Sequence, residues 1–156
     1  MRLRVLLPVS LFLISCFASF AQDDAYKLFL KRTSVAIHKA QKTMLAKNQM
    51  DVGGKLAKAV LLQTHAVKLY EQKKQGHAAC SSSYARQLAA QIIKGLTGKD
   101  DVLYSLTDEE KKLLNGCSTE AEAIKESSAD SKTMSTAIDK DYTDPKSLNK
   151  TNIDPK

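Results

Sequence analysis

Cys80 and Cys117 are the residues of this 156-residue chain whose type and spacing bear most directly on chemistry. They lie symmetrically about Gly98-Lys99, a turn sequence. If the sixteen residues to Leu96 rise as helix and the fifteen from Val102 descend as helix, each arm is about 23 Å long. Two thiols at the same end of one hairpin, in a chain whose start reads as an export signal to an oxidising space, are expected to form a disulfide, with two buried free thiols as the alternative. Closing a loop of this length stabilises a fold by about 3–4 kcal/mol in the chain-entropy account.

The other chemistry-bearing residues point to less. His38 and His65 are equidistant from the Asn48–Gly54 segment and share a height on the first hairpin, but their azimuths differ, so they are not expected to converge on a metal. His77-x-x-Cys80 requires a free thiol, and Met44 and Met50 read as core filler and turn residue rather than axial ligands. No metal or cofactor is therefore expected, with a metal- or haem-binding bundle as the alternative reading. There is no Gly-rich phosphate loop, Cys-x-x-Cys pair or His-Glu-x-x-His. The only Ser-x-x-Lys, Ser147 to Lys150, falls in a segment with no framework to hold a nucleophile and base in register. Ser81-Ser82-Ser83 reads as small residues at a helix start. The expectation is a non-catalytic protein.

Charge gives the sharper signal. Tyr26 to Gly76 holds eleven basic residues against Asp51 and Glu71, a net +9, whereas 77–117 is balanced and 118–156 carries a net −2. Lysines on the first hairpin are expected to form an anion-binding surface, with Lys31, Lys39, Lys42, Lys58 and Lys68 as its residues; the plainer reading is a solvated face. The partner is then an anionic envelope component or a protein. Nucleic acid is not favoured, because Lys outnumbers Arg and no aromatic-and-basic recognition motif occurs.

The chain begins with an address. Arg2 and Arg4 precede an apolar run from Val5 to Phe17, and Ser19-Phe20-Ala21 offers small residues before a cut, which together read as a secretory signal peptide over 1–21. Leu13-Ile14-Ser15-Cys16 is similar to a degenerate bacterial lipobox, so a lipid-anchored envelope lipoprotein is the competing reading. In both, the protein is exported, to the periplasm or beyond, and no transmembrane helix is expected in the mature chain.

These residues need helices to position them. Ala, Lys, Leu and Gln dominate over the β-branched and aromatic residues of sheets. From Asp24 to Lys47, Tyr26, Leu30, Thr33, Ile37, Ala40 and Met44 step by four and three, with Phe29, Val35 and Ala36 broadening the stripe. A second helix is predicted over 55–74 on Leu56, Val60, Val67 and Tyr70, after a break at Gly53-Gly54. A third, over 78–96, carries Cys80, Tyr84, Leu88 and Ile92 after a turn at Gln75-Gly76-His77. Thr107 with Glu110 makes a capping box for a fourth, ending near Asn115-Gly116. Ile124, Met134 and Ile138 hint at a weak fifth. The expected fold is all-α: a small antiparallel bundle of about four helices over 22–138. A disordered tail over 139–156, with two copies of Asp-Pro-Lys, follows it.

Overall fold

The structure, a computed structural model, describes residues 7–101, 104–117 and 152–156, with side chains from Gln22 onward except Met50. It is a helical bundle. Three long helices, α1 (Leu7–Lys47), α2 (Gly53–Glu71) and α3 (Gln75–Thr97), are followed by a short α4 (Asp108–Leu113), and a single 3-10 turn at Met50–Val52 links α1 to α2. The fourth helix is thus only six residues long, because its capping box starts a helix that Gly116, in the left-handed region, helps to close off soon afterwards. The weak fifth helix lies outside the described residues.

The stripes bury as the periodicity predicts: Tyr26, Leu30, Thr33, Ile37, Ala40 and Met44 of α1 are all buried, as are the seam residues of α2. Val35 does not join them and is 52% exposed. At one end, Tyr26, Phe29 and Leu30 meet Val67, Tyr70 and Ala79; at the other, Met44 meets Leu56, Ile92 and Ile93. The chain therefore runs up, down and up, with α2 antiparallel to both neighbours. α3 packs more closely on α1 and on α2 than those two pack on each other.

Left-handed residues make the turns. Asn48 (φ 51°) and Lys73 (φ 63°) each follow a helix end, and the amides around them satisfy the last carbonyls: Lys73 N donates to Tyr70 O (2.9 Å) and Lys74 N to Leu69 O (2.9 Å). This is the paired bonding of a Schellman cap. It places the α2–α3 turn at Gln72–Lys74, and Gln75-Gly76-His77 becomes the first turn of α3 instead of a loop. Gly98 (φ 71°) ends α3 with its amide on Lys94 O (2.8 Å).

Of the tail expected over 139–156, only 152–156 are described, and they pack on the bundle: Ile153 is 1% exposed and belongs to the core cluster of Met44, Leu56 and Ile92. A β-branched side chain with an apolar seam to fill outweighs the polar composition around it.

Candidate functional site

Cys80, on the first turns of α3, and Cys117, just beyond α4, are bonded, with Cα atoms 5.3 Å apart. This bond holds the segment around α4 against the end of the bundle, where Leu106, Leu113 and Leu114 cover Tyr26, Phe29 and their neighbours. A six-residue helix has no independent stability, so it depends on such anchors.

The second anchor is ionic. Arg86 of α3, 1% exposed, donates from Nη1 to Glu110 Oε1 (3.0 Å), from Nη2 to Phe29 O (2.8 Å) and from Nε to Thr33 Oγ1 (3.1 Å). Its guanidinium carbon lies 4.3 Å from the centre of the Phe29 ring. Glu110 also accepts from Arg32 Nη1 (3.0 Å) and, through Oε2, from Thr107 N (2.9 Å), while Thr107 Oγ1 accepts from Glu110 N (3.2 Å). One carboxylate therefore caps α4, pairs with α3 and pairs with α1. Burial pushes the Arg86 guanidinium below its ordinary value, Glu110 opposes that, and neighbouring Arg32 adds to it; a guanidinium remains charged throughout.

A polar layer crosses the bundle between its two apolar clusters. Gln63 of α2, fully buried, donates its two Nε2 hydrogens to Leu30 O (3.0 Å) and Ile153 O (3.0 Å), with Ser34 Oγ 3.3 Å from the same nitrogen, and its Oε1 accepts from Ser82 Oγ (2.8 Å). The Ser34 hydroxyl donates to Ile153 O as well. Buried polar groups satisfied this fully fix the relative height of the helices without an energetic penalty. At the open end of the apolar region, Asp23 accepts from Gln75 Nε2 and from the Tyr70 hydroxyl, whose pKa is pushed up to about 12, by burial first and then by Asp23 and Asp24.

The lysines expected to bind anions are distributed unequally. Lys31, Lys42 and Lys68 are exposed, Lys58 is half-buried, and Lys39 is paired with Asp101. On α1, Leu28 and Val35 are 60% and 52% exposed, the exposed large apolar side chains among the described residues. They lie seven residues apart, and Leu28, Lys31, Val35 and Lys42 fall within an arc of about 60° on the helix. The outer face of α1 is thus a mixed strip of apolar and cationic groups.

His38 and His65 are half-buried and His77 is exposed. Cys80 is engaged in the disulfide and so offers His77 no thiol. Among the described residues no group of three or more His, Cys, Asp or Glu side chains is placed to hold a metal, and no helix is long and apolar enough to cross a membrane. No protein family matches the chain, and no curated protein or solved structure matches it.

The residues that organise the centre, Arg86, Glu110, Gln63 and Ser34, did not stand out as a site in the sequence. A signal was present in part. Arg86 lies on the stripe Ser82, Ala85, Arg86, Ala89, Ile93, where a long cation interrupts an apolar face. It is also one of only two arginines after the leader, in a chain that otherwise uses Lys. A planar, multiply donating cation in that position is a sign of a buried ion pair.

Proposed function

We propose that the protein is an exported, non-catalytic helical module that binds an anionic envelope surface through the outer face of α1. The observation that carries this reading is the strip of Leu28 and Val35 flanked by Lys31 and Lys42. Two large apolar side chains left in water on one helix face gain by entering a lipid headgroup region, and the adjacent lysines gain by meeting its negative charge. The net +9 of the first hairpin supplies longer-range attraction.

Export is supported by the leader-like start of the sequence, and the cystine between Cys80 and Cys117 suits an oxidising compartment. The test is co-sedimentation of the mature chain with phosphatidylglycerol vesicles at low and high salt. Binding is expected at 20 mM salt and is expected to fall steeply above 0.1 M, where the screening length is about 10 Å. Replacing Lys31, Lys39, Lys42, Lys58 and Lys68 by Gln is expected to weaken it with helicity retained. Within that set Lys39 contributes less than Lys31 or Lys42, because Asp101 already neutralises it. Replacing Leu28 and Val35 by Ser is expected to weaken what remains at moderate salt. Absence of binding at low salt, or binding unchanged in the lysine variant, overturns the reading.

A further inference from the structure

The segment Asn152–Lys156 is held by the bundle in the manner of a bound peptide, and the geometry points to a peptide-acceptor groove between α1 and α2. We propose that this groove binds an extended segment carrying a β-branched apolar residue before Asp-Pro, that 152–156 occupy it in cis, and that the same segment of a second copy can occupy it in trans.

Three observations carry the assignment. The side chain of Ile153, 1% exposed, joins the buried apolar cluster to which Ala36 and Ala40 of α1, Val60 of α2 and Ile92 of α3 belong. Its carbonyl is received by Ser34 from one wall and Gln63 from the other. An apolar socket beside two donors for a main-chain acceptor is how an extended peptide is recognised: the pocket reads the side chain and the donors fix the backbone. Pro155 is the third element. The residue before a proline is biased to extended conformations, so Asp154 arrives partly preorganised and the ordering cost of binding falls.

The ligand is separable from the bundle by its connectivity. Thirty-four residues, 118–151, lie between the disulfide-anchored Cys117 and this segment. Because these residues tie the segment to the bundle covalently, its binding is intramolecular and a free copy competes at a disadvantage in dilute solution. The site is thereby self-occupied, and trans binding appears when the cis segment is disabled or outnumbered. The sequence carries the motif twice, as Ile153-Asp154-Pro155-Lys156 and as Thr143-Asp144-Pro145-Lys146. Threonine keeps the β-branch but takes a hydroxyl into an apolar socket, which makes Ile the preferred residue.

The test uses the full-length mature chain, with Ile153→Asp to disable the internal ligand, and a fluorescein-labelled Asn-Ile-Asp-Pro-Lys peptide read by polarisation. The peptide is expected to bind the I153D chain at least tenfold more tightly than the parent, and at least tenfold more tightly than the same peptide with Thr for Ile. No binding to an I153D chain that keeps its helicity overturns the proposal. So does loss of folding in I153D, since 152–156 would then be part of the core instead of a ligand. A second measurement needs no variant. In the parent chain, the Ile153 methyl resonances should move toward their solvent-exposed positions as unlabelled Asn-Ile-Asp-Pro-Lys is raised through the millimolar range. Resonances that stay fixed overturn the proposal.

Discussion

Glu110 joins three elements through one carboxylate, and replacing it by Gln separates the charge from the shape. Glutamine keeps the length of the side chain and one acceptor for Arg86, but leaves a guanidinium that is 1% exposed without a counter-charge and with Arg32 as a like-charged neighbour. Stranding a buried charge in this way costs about 3–5 kcal/mol. Arg32 is only partly buried and can turn to solvent, which argues for the lower end of that range. Thr107→Ala removes the cap alone and is expected to cost about 1 kcal/mol. With a urea m-value of about 1.5 kcal/mol/M, the Glu110→Gln midpoint falls by about 2 M and the Thr107→Ala midpoint by less than 1 M.

The assay is urea unfolding followed by circular dichroism, without reductant, so that the disulfide is the same in every variant. A third chain, with Arg86→Met and Glu110→Leu together, removes both charges. It is expected to recover most of the loss, because apolar replacement of a buried pair is often neutral. A Glu110→Gln chain no less stable than Thr107→Ala would refute the argument. It would mean that Arg86 is stabilised by Phe29 O, Thr33 and the Phe29 ring without need of the carboxylate.

Two further outcomes follow from the same contacts. Reducing the Cys80–Cys117 bond is expected to lower stability by about 4 kcal/mol for its 37-residue separation, with intact mass gaining two hydrogen atoms on reduction; alkylation of both cysteines in the untreated mature protein would refute the pairing. Stability is expected to fall as pH rises from about 10 to about 12, because unfolded Tyr70 releases its proton near 10 while the folded group holds it to about 12, with Tyr104 shifted in the same direction by burial and Asp101; Tyr70→Phe should lessen the alkaline loss.

The three long helices were legible because their stripes are nearly pure: a four-three alternation of apolar residues buries one face whatever the neighbours are. Turns were less so. Gly53-Gly54 and Gln75-Gly76 look like breaks, yet both pairs lie inside helices, and Asn48 and Lys73 carry the left-handed conformation. Asparagine is a recognised alternative to glycine there, but nothing in its type marks Lys73, whose position is set by packing on either side of the turn. The capping box at Thr107 was legible as a local pattern; that its Glu110 also reaches Arg86, 24 residues away, was not. The strip on α1 was half legible. Its lysines stand out in the sequence, whereas Val35 reads as part of the buried stripe until the neighbouring helices are placed.

The hidden part shares one cause. Gln63, Ser34, Ser82 and Arg86 each look like a blemish on an apolar face when read along a single helix. Their meaning lies in the pairing of helices. Three helices rich in Ala and Leu can slide past one another by a turn, about 5.4 Å, with little change in apolar burial. A slip of α3 against α1 by that distance would take Arg86 away from Phe29 O and Thr33, and a slip of α2 would take Gln63 away from Leu30 O. Each misplacement leaves a buried donor unmet at about 1–3 kcal/mol, more for the charged group. Ile153 fits the same logic, since its carbonyl meets both Ser34 and Gln63 only in the register that satisfies everything else. The polar layer therefore fixes one register for the bundle and, with it, the walls of the groove that holds the segment.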